Sequence, residues 1–128
     1  MDKIALDRGI ALRRQVVGAA YADKSLKHEG FGSHLQLLIT AYGWGEAWSG
    51  EHLPLKTRSF LMIVMLATLN RPAQLRVHVL GALNNGATPE EIEDVLAHVA
   101  VVCGAPCALD ALKIATEVID EARSRPAV

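Results

Sequence analysis

Only two cysteines occur in the 128 residues, which excludes a fold held together by a disulfide framework. Aromatic residues make up 5% of the chain, and its acidic and basic residues nearly cancel, leaving a formal net charge of −1. The lysines and arginines are scattered, so there is no basic stripe of the kind that nucleic acid or an anionic membrane surface requires. The longest apolar run, residues 60–69, falls far short of the roughly 20 residues that cross a bilayer. Near the N-terminus Arg8, Arg13 and Arg14 interrupt any apolar core, so that stretch does not read as a secretory signal. A glycine-rich phosphate loop, a Ser-His-Asp signature and a Walker-type lysine are all missing. His28, His34, His52 and His98 have no mutual spacing suited to metal ligation, and His98 follows Asp94 by one helical turn as a surface pair would. No metal site is expected, and the chain reads as a small cytoplasmic domain without nucleic-acid or membrane partners.

What is present is helical. Hydrophobic residues make up 51% of the sequence, and no stretch of useful length alternates apolar with polar, so strands have no support. The expected class is all-α, a single domain over residues 1–128. Asp2 is placed to cap a first segment running to about Val17, with Gly18 behind it. Residues 19–32 are polar and read as irregular. A second segment covers about 33–48 and stops at Ser49-Gly50; Pro54 opens a third through Asn70, and Pro72 a fourth to Asn84. Thr88-Pro-Glu-Glu91 is the sharpest local signal: Thr88 as N-cap, Pro89 in the first turn and Glu91 placed to complete a capping box. That helix ends at Cys103-Gly104, and the last covers about 106–123.

Apolar spacing then predicts the buried faces. Ile92, Val95, Leu96, Val99, Val102 and Cys103 form one wide stripe on the fifth segment. The third segment is apolar on every side over residues 60–67, and so few helices can barely enclose it. Part of its surface is therefore expected to face another copy of the chain.

Few residues carry chemistry. His78 shares the stripe of Leu75, Val79 and Ala82, so its ring should point inward, either as a satisfied core histidine or as an acid/base in a small pocket. Arg58 falls in the first turn of a helix, where the macrodipole disfavours a cation, as it does for Lys56. It is either a solvated surface charge or a planar fork for a substrate carboxylate. Tyr42-Gly-Trp-Gly-Glu-Ala-Trp48 places Trp44 and Trp48 one turn apart, with Tyr42 and Glu46 on the other side. Its two glycines cost on the order of 1 kcal/mol each in a helix, which implies close approach by another backbone or a ligand. Glu46 suits an ion pair with an arginine or a proton transfer. Cys103 and Cys107 straddle a helix break with the wrong spacing for a redox pair and read as free thiols packed as small hydrophobes.

These elements together resemble the carboxymuconolactone decarboxylase family. Leu75-Arg-Val-His78, Gly81-Ala-Leu-Asn-Asn-Gly86, Thr88-Pro-Glu-Glu-Ile92 and Val101-Val-Cys-Gly-Ala-Pro106 carry the likeness. Trp44-Gly-Glu-Ala-Trp48 and Thr57-Arg58 are similar to its γ-carboxymuconolactone decarboxylase branch, and the match extends to the Arg13-Arg14 helix. The resemblance implies an all-helical fold of five to six helices of the alkylhydroperoxidase-D-like type, assembled as a ring (a trimer or hexamer), with no cofactor. It also implies loss of carbon dioxide from γ-carboxymuconolactone to give 3-oxoadipate enol-lactone in aromatic catabolism. The lactone carbonyl, reached through the ring double bond, accepts the electrons left behind, so the substrate supplies its own electron sink. His78 and Glu46 are then the candidate catalytic residues, with Arg58, Arg76 and Trp44 as candidates for substrate binding. His78, Ala82 and Gly86 also match the end of the related peroxidase motif, but its cysteine positions fall on Arg71 and Gln74, and its glutamate position near Ser59. Thiol chemistry is excluded at that position. A binding or assembly protein built on the same fold remains the alternative, with a redox protein behind it.

Overall fold

Asp2 does cap the first helix, accepting a 2.9 Å hydrogen bond from the Ile4 N–H in a computed structural model that describes residues 1–27 and 29–125. His28 lies outside the described residues. The chain divides into two compact units, Met1–Leu55 and Lys56–Val128.

In the first unit α1 (Lys3–Val17) ends at Gly18, whose φ of 94° only glycine adopts readily and whose N–H reaches the Arg14 carbonyl. The polar stretch expected to be irregular contains a second helix, α2 (Ala19–Leu26). Its eight residues are too few for the sequence alone to mark them as a helix. Tertiary contact holds it: Ala22 is buried, and Asp23 pairs with Arg14 at 3.2 Å. After α3 (Ser33–Leu38), the segment expected to continue as an α-helix widens into a π-helix over Ile39–Ala47. Such widening is rare and tends to accompany function. Here it coincides with direct backbone contact between α1 and the π-helix at Gly9 and Gly45.

The second unit packs α4 (Leu55–Thr68), α5 (Pro72–Asn84), α6 (Pro89–Cys103) and α7 (Ala105–Ser124) around one core. Ile63, Val79, Ile92 and Val99 fill it, against the small face of Ala108, Ala111 and Ala115 on α7. The capping box of α6 is complete: Thr88 Oγ1 accepts from the Glu91 N–H at 3.1 Å, and Glu91 accepts from the Thr88 N–H at 3.0 Å. The described residues thus hold seven α-helices and one π-helix, more than the five or six expected, and no strand.

Two faces differ from, or sharpen, the sequence reading. The predicted stripe of α6 is buried at Ile92, Leu96 and Val99, but Val102 and Cys103 at its end are exposed. The stripe outruns its cover where the chain turns into α7 at Gly104. On α4, Ser59, Ile63 and Ala67 are buried, while Leu61 and Met65, with Leu69 just past its end, are exposed apolar residues.

Candidate functional site

The candidate residues fall in both units. In the first, Trp44 and Trp48 are neighbours, as their spacing predicts; both are buried, and they stack with ring centroids 4.6 Å apart. Of the two glycines beside them, only Gly45 is in close approach. A β-carbon there would stand 2.1 Å from the Ala5 carbonyl oxygen, whereas one on Gly43 would meet nothing within 4 Å. Glu46 projects from the other side of the π-helix, exposed, and pairs with Arg8 at 3.3 Å. The same guanidinium donates from Nε to the Gly45 carbonyl oxygen at 2.6 Å.

Arg13 is a charged residue whose burial the sequence reading missed. It is 6% exposed, and its Nη1 donates to Gln36 Oε1 at 3.1 Å and Thr40 Oγ1 at 3.0 Å. Burial lowers its pKa from the ordinary arginine value, while contact with the Tyr21 hydroxyl works the other way. The signal was available: Ala5, Gly9, Arg13, Val16 and Val17 share one helical face, and all are buried. Arg13 ties α1 to the start of the π-helix.

In the second unit His78 is 5% exposed between Leu75 and Val79, so its ring is turned inward as predicted. Ser59 on α4 is fully buried and accepts a 2.9 Å hydrogen bond from Asn85 Nδ2 at the end of α5. The pair joins α4 to the end of α5; the sequence reading had Asn85 only as part of the Gly81–Gly86 motif. Arg58 is half-buried on the first turns of α4. Arg76 is engaged by Glu117 and by Glu121, the latter at 3.3 Å, in a seam between α5 and α7. Two carboxylates thus already pair with its charge.

An apolar groove of about 250 Å³ between α6 and α7 is lined by Leu96, Ala100, Ala108, Leu109 and Leu112, with Glu93 as its charged residue. It offers no cation to an acidic ligand. Among the described residues no three His, Cys, Asp or Glu side chains converge as metal ligands, and no helix is long and apolar enough to cross a membrane.

Residues 34–117 match the model of the carboxymuconolactone decarboxylase family. The chain is 32% identical over 121 residues to a 4-carboxymuconolactone decarboxylase of Acinetobacter baylyi, an alignment covering 94% of this chain and 90% of that protein. It is 34% identical over 116 residues to a nitrosuccinic acid decarboxylase of Metarhizium robertsii, covering 90% and 81% respectively.

Proposed function

The chain belongs to the carboxymuconolactone decarboxylase family, and from that premise we propose that it releases carbon dioxide from a small dicarboxylic acid carrying its own electron sink. One observation carries the reading: two relatives, each about a third identical over most of the chain, are named decarboxylases of acids with a common skeleton. In both acids one carbon bears a carboxylate, a –CH2–COO⁻ arm and an acceptor for the electron pair that loss of that carboxylate would leave. The acceptor is the unsaturated lactone in one and the nitro group in the other. We take 4-carboxymuconolactone as the substrate and 3-oxoadipate enol-lactone as the product.

The bond to the departing carboxylate breaks, and its electrons move through the ring double bond onto the lactone carbonyl oxygen. Carbon dioxide leaves, and a proton then adds at the carbon next to that carbonyl. The protein has to bind the retained carboxylate, stabilise the oxyanion and deliver the proton. His78 supplies the proton or a hydrogen bond to the oxyanion; its buried setting supports this, because donors act most strongly away from water. Arg58 binds the acetate arm. A cation held on the departing carboxylate would stabilise the ground state and slow the reaction. In the first unit, taken by itself, Glu46 is the candidate for proton transfer and Trp44 the candidate for binding an apolar ring. Self-association belongs to the same reading, since a second copy would cover Leu61, Met65 and Leu69. Sedimentation as a stable 13.8 kDa monomer at micromolar concentration would remove that part.

The test is to mix purified protein with freshly generated 4-carboxymuconolactone and follow ultraviolet absorbance, and in parallel to measure carbon dioxide released from nitrosuccinate. Turnover of the lactone supports the proposal; turnover of nitrosuccinate alone moves the substrate assignment; turnover of neither rejects the decarboxylase.

A further inference from the structure

On α7 the small side chains are buried and the leucines are not. Its buried residues are Ala108, Ala111, Ala115 and Val118, while Leu109 and Leu112 are 62% and 43% exposed. Burying a leucine contributes more than burying an alanine, so the larger apolar contribution of this helix is not made within the second unit. The two leucines stand beside the apolar groove between α6 and α7, a cavity of about 250 Å³ lined also by Leu96, Ala100 and Ala108. A cavity of about 150 Å³ accepts benzene, so this one has room for leucine side chains from a neighbour. Ala97 lines it too, and Val101, one turn further along α6, is 86% exposed and extends the apolar surface.

Projecting leucines and a hollow that can receive them therefore lie on one patch, which is what a two-fold contact between identical surfaces requires. The size fits as well. The fifteen residues of α6 run about 22 Å beside α7, and two helix widths of about 10 Å give a footprint of about 450 Å². A ridged face has more accessible area than its footprint, which brings it toward the roughly 800 Å² that each partner gives to a stable interface. Charge favours a second copy over a foreign partner. Glu93 is the one charged residue lining the groove, so a strongly acidic or basic partner would find little to pair with. A two-fold axis between Leu109 and Leu112 puts the two Glu93 carboxylates on opposite sides, where they do not meet.

We propose that the α6–α7 face docks a second copy of this chain across a two-fold axis. The two α7 helices lie antiparallel, with Leu109 of each copy opposite Leu112 of the other, and these leucines fill the facing grooves. The contact is distinct from the exposed apolar surface of α4 around Leu61 and Met65. It lies wholly on the second unit and does not depend on the reaction proposed above.

The experiment is sedimentation of the full chain over a dilution series, for wild type, Leu109→Glu, Leu112→Lys, an equal mixture of those two, and Leu61→Glu. The substituted leucines are exposed, so the variants open no cavity, and melting curves check that each keeps its fold. Wild type should persist as a dimer or larger at micromolar concentration. Leu109→Glu and Leu112→Lys each set a charge against an apolar side chain in the contact, and each should dissociate at about tenfold higher concentration or more. Their mixture should recover most of that loss, because the antiparallel pairing brings the two opposite charges together. Leu61→Glu should sediment as nothing smaller than a dimer. A wild-type monomer, an unshifted Leu109→Glu or Leu112→Lys, a mixture that associates no better than its components, or a monomeric Leu61→Glu would each overturn the proposal. Turnover of 4-carboxymuconolactone by the wild type is read separately, so the decarboxylase reading stands or falls apart from this contact.

Discussion

Gly45 and Ala5 are in backbone contact: a β-carbon on the first would stand 2.1 Å from the carbonyl oxygen of the second. Gly43, two residues earlier in the same π-helix, has nothing within 4 Å of that position. Two glycines that look alike in sequence therefore have opposite costs of substitution.

Gly45→Ala should destabilise the protein by about 2–3 kcal/mol or more, since no flexible side chain can move aside. Gly43→Ala should be neutral or stabilising by up to about 1 kcal/mol, because it removes backbone freedom from the unfolded chain. Urea unfolding of the two variants checks the pair. Equal losses would mean that α1 and the π-helix are not in backbone contact.

The capping box predicts a pH dependence. The Lys56 ammonium first, and the Thr88 N–H after it, hold the Glu91 carboxyl below the usual carboxylate range. A lowered folded-state pKa stabilises the fold above the unfolded value of about 4.3, and that stability is lost as pH falls through the folded value. Glu91→Gln should therefore melt below wild type at pH 7, and the gap should shrink as the pH drops below about 4. Melting temperatures at neutral and acid pH measure it. A gap that widens in acid contradicts the assignment.

The thiols should be dispensable. Cys103 is exposed, and Cys107 donates to the Gly104 carbonyl oxygen at 3.3 Å, a local contact inside one helix turn. Alkylation, or replacement of both by serine, should leave turnover within a few-fold. A hundredfold loss in a folded double variant would restore the redox reading. Exposure of Cys103 also means that its replacement costs less stability than burial on the α6 stripe would have implied.

Much of the fold was legible from local rules. Asp2, Gly18, Pro72 and the Thr88–Glu91 box set helix ends through backbone chemistry that needs no tertiary information. The inward turn of His78 and the neighbourhood of Trp44 and Trp48 followed from spacing alone; that the two rings stack did not. The rest depended on neighbours. α2 is held by a buried alanine and an ion pair with α1. The widening at Ile39–Ala47 is a property of hydrogen bonding, which side-chain periodicity hardly registers over nine residues. Arg13 could have been placed on the buried face of α1, but a cation in such a stripe reads as surface until Gln36 and Thr40 are seen to receive it. Arg76 sits in a motif of the resemblance, yet the glutamates that engage it come from α7, more than forty positions along the chain.

In the proposed reaction the buried His78 serves the release of carbon dioxide and is more than a core residue. Its most direct test is the steady-state kinetics of His78→Ala with 4-carboxymuconolactone, with circular dichroism and sedimentation showing that the variant keeps its fold and assembly. The account predicts a fall in kcat of roughly 10²–10⁴-fold with a much smaller change in KM, the range for a positioned acid or base. Arg58→Ala, run beside it, should instead raise KM, because a carboxylate clamp acts in ground and transition states alike. A folded His78→Ala protein that keeps near-wild-type kcat would contradict the account, return His78 to the core and leave Glu46 as the proton donor.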